Sequence, residues 1–264
     1  MSPAARYNDP ALRPIDRLLA VMAQLRNPNG GCEWDLAQDF VTIAPYTIEE
    51  AYELADAITG GDADHIRDEL GDLLLQVVFH AQIAADNKLF DFDAVADTIS
   101  AKMIRRHPHI FGDGHKLPQR AAWEEIKAAE RAQTPNAAAK GALAGVALAL
   151  PALKRAEKLQ ARAARVGFDW PDPAGPRAKI AEELAELAAA ADDTARNEEM
   201  GDLLFAVANL ARKLDIDPEA ALAAANRKFE ARFAAMEALA GGSIAGQSLD
   251  EQEALWQSVK AAGG

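Results

Sequence analysis

Two pairs of acidic segments decide the fold: residues 49–53 (EEAYE) with 69–74 (ELGDLL), and residues 182–186 (EELAE) with 199–204 (EMGDLL). Because residues three or four apart share one face of a helix, each pair predicts two neighbouring helices that direct four carboxylates into the space between them. Such carboxylates repel one another unless a cation joins them, and hard divalent cations such as Mg²⁺ take oxygen ligands. We therefore predict that at least one pair holds Mg²⁺ against a substrate phosphate.

The composition favours closely packed helices and argues against several classes of partner. The chain has 264 residues, of which 50% are hydrophobic and only 6% are aromatic, which suits helices better than sheets. Its net charge of −13 should repel nucleic acid and anionic membranes, so we expect neither as a partner. A single cysteine, Cys32, and the lack of an evident signal peptide lead us to expect a cytoplasmic location.

The similarity between the two halves extends over five positions in the same order, at a nearly constant offset. A duplication explains this order, and no alternating strand pattern interrupts it, so the sequence predicts an all-α fold. The five matches are Trp34 with Trp170, Glu50 with Glu183, Asp72 with Asp202, the pair Lys102 and Arg106 with Lys228 and Arg232, and the pair Trp123 and Lys127 with Trp256 and Lys260.

A change of composition divides the chain. Residues 132–149 are mostly small and carry one charge, Lys140, which is typical of a linker. We predict an N-terminal domain at residues 1–131 and a C-terminal domain at residues 150–264. We expect helices at residues 15–25, 47–58, 62–85, 92–103, 119–131, 153–165, 176–191, 197–214, 218–240 and from 249 onward, with a loop at residues 32–35.

The acidic segments also have simpler explanations. A single E-x-x-E segment is more often a solvated face, and residues 47–50 (TIEE) read as a capping box in which Glu50 only closes a helix N-terminus. Capping does not explain Glu183, because its helix can begin several residues earlier in the chain. Glu183 then lies in the middle of the helix and not at its N-terminus. Gly71 and Gly201 lie inside predicted helices, where glycine costs about 1 kcal/mol relative to alanine. Their repetition suggests that some group approaches the backbone closely there.

Basic and aromatic residues offer candidate phosphate and base contacts. Lys228 and Arg232 share a helix face, and Arg can bind phosphate oxygens in a bidentate way. Trp256 has the chemistry to stack on a base, although a helical Trp is more often part of a core. The chain has no G-x-x-x-x-G-K-[ST] loop, and no Cys/His set completes a zinc site.

With its doubled acidic motifs, the chain resembles the MazG family of nucleoside triphosphate pyrophosphohydrolases, in the two-domain bacterial form. Residues 31–35 (GCEWD), 105–109 (RRHPH) and 166–170 (VGFDW) match that form. The resemblance implies two tandem MazG-type helical domains, each of which pairs across a homodimer into a helical bundle. It also implies Mg²⁺-dependent cleavage of nucleoside triphosphates to monophosphate and pyrophosphate, with Mn²⁺ as a candidate substitute.

The resemblance further implies that the C-terminal domain is the active one, and it assigns roles to individual residues. The N-terminal acidic set is intact as a second candidate metal site, but Tyr46 stands where the second half has Lys179. The implied metal ligands are Glu183, Glu186, Glu199 and Asp202, with Glu50, Glu53, Glu69 and Asp72 as the second set. The implied nucleotide contacts are Lys179, Glu182, Glu183, Lys228, Arg232 and Trp256, among which we expect Glu182, Lys228 and Arg232 to take part in catalysis.

Two alternatives stay open. One is a related pyrophosphohydrolase specific for dUTP or phosphoribosyl-ATP. The other is a non-catalytic nucleotide sensor or scaffold that keeps the metal cluster for stability. The partners that we expect are nucleoside triphosphates and a second copy of the chain, in a role of nucleotide-pool housekeeping or regulation.

Overall fold

The computed structural model describes residues 7–112 and 141–263. Within these two ranges every regular element is a helix, which confirms the all-α prediction. None of the described helices combines the length and the apolar composition that crossing a bilayer requires.

The chain divides into two compact units, Met1–Lys127 and Ala128–Gly264. The linker that we predict at residues 132–149 lies partly outside the described residues, so the predicted domain boundaries stay predictions. The helix predicted at residues 119–131, with Trp123 and Lys127, lies wholly outside them.

In the N-terminal unit, helices α3 and α4 form a hairpin against which α1 and α5 pack. Gly61 closes the hairpin at a φ of 76°, in the left-handed region that glycine adopts readily. The buried centre of the unit consists of Met22, Ile43, Val78, Phe79 and Ile83. The described helices are α1 (Pro14–Leu25), α2 (Glu33–Ala37), α3 (Phe40–Gly60), α4 (Ala63–Asp86), α5 (Phe92–Arg106) and α6 (Pro108–Phe111).

The start of α3 corrects the capping role suggested for Glu50. Asp39 is the N-cap: its carboxylate accepts hydrogen bonds from the N–H groups of Val41 (2.8 Å) and Thr42 (2.9 Å), and its own N–H donates to Thr42 Oγ1 (2.8 Å). This capping box starts the helix at Phe40, a full two turns before the predicted start. Glu50 therefore lies in the middle of a helix, where capping does not explain it.

The predicted loop at residues 32–35 is also wrong, because Glu33–Ala37 form the short helix α2. The buried guanidinium of Arg26 donates to the backbone carbonyls of Asp35 (2.5 Å) and Gln38 (3.1 Å). These bonds satisfy carbonyl groups at the end of a helix too short to satisfy them itself.

The C-terminal unit repeats this plan. Helices α8 and α9 form a hairpin, α7 packs against α9 and α10, and α10 pairs with α11. Asp217 and Ser248 are the N-caps of the last two helices, the latter in a capping box with Glu251. The helices are α7 (Ala152–Ala164), α8 (Ala174–Ala189), α9 (Asp193–Lys213), α10 (Pro218–Leu239) and α11 (Leu249–Ala261).

Candidate functional site

The α8–α9 hairpin brings three of the four predicted C-terminal carboxylates together. Glu183 on α8 and Glu199 and Asp202 on α9 each place one oxygen within 4.8 Å of the others. Glu183 is 2% exposed, whereas Asp202 faces solvent. The group therefore has one side inside the protein and one side open to a ligand, which fits a divalent metal site.

The electrostatics of this group indicate a deficit of positive charge. Burial and the neighbouring carboxylates of Glu186 and Glu183 raise the pKa of Glu199 above its ordinary value. Glu186, the fourth predicted ligand, therefore acts on the group electrostatically, although the converging set does not include it. The oxygen Oε2 of Glu183 is buried without a hydrogen-bond partner. A bound cation would reduce the repulsion between the carboxylates and would give the Glu183 Oε2 oxygen a partner.

Lys179 is the cation that the chain itself supplies at this place. Its Nζ lies 2.9 Å from Glu182 Oε1 and 2.6 Å from Glu183 Oε1, one helical turn away on α8. The hydrogen bonds to Glu183 and Glu182 raise the pKa of Lys179 well above its ordinary value. Lys179 stays charged and holds both carboxylates in position.

The N-terminal unit holds a matching group without the lysine. Glu50, Glu69 and Asp72 also place oxygens within 4.8 Å of one another. Burial, followed by the charges of Asp72, Glu53 and Glu69, raises the pKa of Glu50. In place of Lys179 stands Tyr46, whose ring packs edge-on against another aromatic ring of the unit.

The two helical glycines of the paired motifs have no close neighbour in the described part of the chain. A Cβ added at Gly71 or Gly201 would find no atom within 4 Å outside its own helix. No group among residues 7–112 and 141–263 makes the predicted close approach to the backbone, so that expectation stays a prediction.

A cavity of ≈ 730 Å³ opens beside the C-terminal carboxylates. Its wall includes Lys179, Glu183 and Asp202, and it extends between α7, α8 and α9 beneath the segment that joins α7 to α8. The rest of the wall is largely apolar and aromatic, with buried polar groups at a few places. The wall residues outside the carboxylate group include Gln160, Phe168, Trp170, Phe205, Asn209 and Arg212.

An ion-pair network fixes the segment over this cavity. Asp169 accepts from Arg212 Nη2 (2.5 Å) and from Lys213 Nζ (2.9 Å), both on α9. Burial alone would raise the pKa of Asp169, but the hydrogen bonds from Arg212 and Lys213 outweigh it and hold the pKa below its ordinary value. The network therefore ties the segment between α7 and α8 to α9 at neutral pH.

Trp170 lies directly on the backbone of α8 at Gly175. A Cβ added at Gly175 would overlap the indole ring of Trp170, so a side chain at this position would displace the ring. Glycine in this first turn is required because the tryptophan needs the space.

We expect Gly175→Ala to destabilise the protein by about 1–3 kcal/mol, since overpacking forces the ring or the helix to move. Denaturant unfolding followed by circular dichroism measures the change. Gly60→Ala is the matched control: it also lies in a helix but has open space around it, and its stability should stay equal or rise slightly. Equal stability of the two variants would contradict the packing of Trp170 on α8.

The predicted contacts Lys228, Arg232 and Trp256 lie elsewhere in the unit, on α10 and α11. The Arg232 guanidinium stands 5.7 Å from the centroid of the Trp256 ring, and Phe229 lies 5.6 Å from the same ring. Trp256 packs beside a core of Met236, Ile244 and Val259. None of the three predicted contacts lines the cavity, and their roles stay predictions.

Sequence reasoning did not single out Gln160, Asn209 or Arg212. None belongs to a motif, and they meet only because α7 and α9 pack together. One signal was available in the repeat: Asn209 lies 130 residues after Phe79, as Asp202 lies 130 residues after Asp72. Position 209 is therefore polar where the first half has a large aromatic residue, one of several differences between the C-terminal halves of the two helices.

Comparisons with known proteins match both units. Residues 38–111 fit the family model of the MazG nucleotide pyrophosphohydrolase domain, and residues 148–229 fit that of phosphoribosyl-ATP pyrophosphohydrolase. The chain is 48% identical over 260 residues to the nucleoside triphosphate pyrophosphohydrolase of Escherichia coli (strain K12), which covers 94% of this chain and 98% of that protein. It is 44% identical over 251 residues to the nucleoside triphosphate pyrophosphohydrolase/pyrophosphatase MazG of Thermotoga maritima, covering 93% and 95%.

Proposed function

The chain belongs to the MazG family and is a nucleoside triphosphate pyrophosphohydrolase, and we propose that its working site is the carboxylate group of the C-terminal unit. One observation carries this proposal: Glu183, Glu199 and Asp202 converge at the border of a nucleotide-sized cavity, with Lys179 bound to Glu183. The reaction releases pyrophosphate and leaves a nucleoside monophosphate.

Mg²⁺ is the metal that we propose for this group, with Mn²⁺ as a substitute. All the converging atoms are carboxylate oxygens, which suit hard cations better than the softer metals that prefer nitrogen or sulfur. Mg²⁺ is usually bound by a few carboxylates together with substrate phosphates. Glu183, Glu199 and Asp202 would hold it, and Glu186, whose charge already acts on Glu199, is the fourth ligand that we propose.

The chemistry then divides between the metal and the chain's own groups. Bound Mg²⁺ supplies charge neutralisation at the phosphates and a more acidic water. Glu182 orients the attacking water and accepts its proton, while Lys179, 2.9 Å from Glu182, holds that carboxylate in place. The water oxygen bonds to the α-phosphorus as the bond to the pyrophosphate oxygen breaks. Lys228 and Arg232 stabilise the departing pyrophosphate, with Trp256 packed on Arg232.

A homodimer is the assembly that we propose. Helix α9 exposes Met200, Leu204 and Val207 at 43%, 49% and 42%, a helical stripe of large apolar residues beside the carboxylates. Gly201 lies next to this stripe with open space around it, which permits a second helix to approach closely. Pairing of this stripe with a second copy buries it and completes a helical bundle.

We expect Leu204→Glu to turn the dimer into a monomer, because it places a charge in the apolar stripe. Activity should fall at least about tenfold, because α9 carries part of the carboxylate group and loss of the partner would disturb how the site positions the substrate. Sedimentation equilibrium gives the mass and a pyrophosphate-release assay gives the activity. Leu249→Glu, on an exposed leucine of α11, should stay dimeric and active. A monomeric and fully active unmutated chain would refute this assembly.

A substrate panel tests the proposed function. The purified chain with Mg²⁺ is incubated with ribo- and deoxynucleoside triphosphates, dUTP and phosphoribosyl-ATP, and the products are identified. We expect monophosphate and pyrophosphate from several nucleoside triphosphates. Turnover confined to phosphoribosyl-ATP would instead follow the family model that matches residues 148–229. Binding of Mg²⁺ without turnover of any substrate would support a sensor.

We also propose a role in nucleotide-pool housekeeping and a cytoplasmic location. Activity toward many triphosphates would support the former, and the single cysteine, Cys32, fits the latter. Fluorescence microscopy of a tagged chain checks the location.

A further inference from the structure

Helix α7 carries an excess of positive charge in a chain whose net charge is −13. Between Ala152 and Arg165 five residues are basic and only Glu157 is acidic. None of the other helices within residues 7–112 and 141–263 has a comparable excess. The first helix of the N-terminal unit, α1, has one acidic and one basic residue, Asp16 and Arg17. A helix at this place in the fold therefore does not require the charge.

Three of the basic side chains share the face of α7 that points away from its buried side. Ala156 and Gln160 mark the buried side: they lie one turn apart, and Gln160 donates to a backbone carbonyl of α9 (2.8 Å). Arg155, Lys158 and Arg162 follow one another at spacings of three and four, so a turn of about 100° per residue places them together on the other side. They span about 10 Å along the helix, and we call them the basic stripe.

The carboxylate of α7 is engaged elsewhere. Glu157 lies 2.7 Å from Lys154 Nζ, which also lies 2.5 Å from Asp217 Oδ2 at the start of α10. Arg162 Nη1 donates to the backbone carbonyl of Ala144 (2.6 Å). This bond orients the guanidinium of Arg162 and leaves its positive charge uncancelled.

Arg155 is a half-buried cation without a counter-charge. Its Nε is buried and has no hydrogen-bond partner. In the described part of the chain, neither Arg155 nor the exposed Lys158 forms an ion pair. A partly desolvated cation without a counter-charge raises the free energy of the native state, and an anionic group that reaches the guanidinium offsets this.

We propose that the basic stripe is a docking site for an acidic helix of a partner protein. Carboxylates that repeat every three and four residues on an approaching helix have the same spacing as the three cations and meet them along about 10 Å. Arg155 and Arg162 bind carboxylates in a bidentate way, and Lys158 adds a point charge.

Charge and shape favour a short acidic segment over a long polyanion. Nucleic acid and anionic membranes extend over the whole molecule, whose net charge of −13 repels them. A single helix contacts the stripe alone and avoids most of that repulsion. Helix α7 also contains no aromatic residue on which a nucleic-acid base could stack.

Two synthetic peptides that differ only in the arrangement of their glutamates test the docking site. In one, three alanine-based heptads carry glutamate at the first and fourth positions, so that the carboxylates follow one helix face. In the other, the same residues are shuffled over all faces. Binding of each labelled peptide to the full-length chain is followed by fluorescence anisotropy. We expect the one-face peptide to bind at least about tenfold more tightly, and added salt should weaken its binding.

Charge reversal of the exposed lysine provides a matched pair of variants. Lys158→Glu should lower the affinity for the one-face peptide at least about tenfold, because like charges across an interface repel. Arg67→Glu makes the same charge change at an exposed position of α4 and should alter the affinity less than about twofold. Both variants should release pyrophosphate at the unmutated rate, since neither residue belongs to the carboxylate site.

Arg155→Met separates a binding role from a structural one, because it keeps the length of the side chain and removes the charge. We expect weaker peptide binding together with a thermal midpoint equal to or above that of the unmutated chain. A lower midpoint with unchanged peptide binding would show that Arg155 is structural and would contradict the proposal.

The proposal is overturned if the one-face peptide does not bind at low salt, if both peptides bind equally, or if Lys158→Glu binds like the unmutated chain. Tighter binding of duplex RNA or of anionic lipid vesicles through the same residues would replace the acidic helix by another polyanion. Self-association that Lys158→Glu abolishes would replace the partner by a second copy of the chain.

Discussion

Replacing Glu183 by Gln should lower kcat/KM for nucleoside triphosphate hydrolysis by about a thousandfold or more. A bound metal supplies several kcal/mol of charge stabilisation in the transition state, and each 1.36 kcal/mol is about tenfold in rate. Glu183 is the most buried carboxylate of the converging group and the one that Lys179 contacts most closely. Its neutral amide keeps the shape but loses the charge that a cation needs. Initial-rate measurements of pyrophosphate release determine the loss.

The duplicated chain provides a matched control for this substitution. Glu50→Gln makes the same change at the corresponding position of the N-terminal unit, whose carboxylates converge in the same way. We expect it to change turnover less than about twofold, since it removes nothing from the reacting centre. Both variants should keep the helical circular-dichroism spectrum. Loss of activity in Glu50→Gln, with activity retained in Glu183→Gln, would assign the reaction to the other unit.

Removing divalent cations with a chelator should reduce turnover to the uncatalysed background, and Mg²⁺ or Mn²⁺ should restore it. Without a cation, the carboxylates that already raise the pKa of Glu199 would face the negative charges of a triphosphate. The same measurement has a stability readout. A metal present at about a hundred times its Kd stabilises the native state by about 2.7 kcal/mol, so Mg²⁺ should raise the thermal midpoint.

Glu183→Gln serves as the control for metal removal. It should show a much smaller rise of the thermal midpoint with Mg²⁺ than the unmutated chain. Glu50→Gln should lose only the contribution of the N-terminal group. Full turnover in the presence of excess chelator would contradict a metal-dependent site.

The carboxylate group was the part of the site that the sequence predicted best. Spacings of three and four place Glu183 and Glu186 on one face of α8 and Glu199 and Asp202 on one face of α9, because a helix turns every 3.6 residues. The hairpin then brings Glu183, Glu199 and Asp202 together. The contact between Lys179 and Glu183 was not predicted, although it follows from the same rule because the two residues are one turn apart on α8.

The beginnings of helices were predicted less well, because they depend on competition between caps. Residues 47–50 have the sequence of a capping box, but Asp39 and Thr42 form the box that the structure uses. Pro45 then lies inside the helix rather than before it. The short helix α2 likewise depends on Arg26, whose buried guanidinium donates to a backbone carbonyl of that helix. Arg26 lies outside α2, so the pattern of residues within α2 does not reveal this contact.

The cavity could not be predicted from local patterns, since its wall comes from three helices, the segment between α7 and α8, and Leu143 before α7. Phe168 and Trp170 belong to a motif, yet their place over the cavity depends on the bridge from Asp169 to Arg212 and on the space at Gly175. The difference between Asn209 and Phe79 was visible in the aligned halves. Its meaning required the structure, which shows one side chain beside a cavity and the other inside a core.

The position of bond cleavage tests the central claim most directly. Hydrolysis of a nucleoside triphosphate by the unmutated chain with Mg²⁺, in water labelled with oxygen-18, is followed by mass spectrometry of the products. Attack at the α-phosphorus predicts the label in the nucleoside monophosphate and none in pyrophosphate. Label in pyrophosphate, or formation of labelled phosphate with a nucleoside diphosphate, would contradict the account.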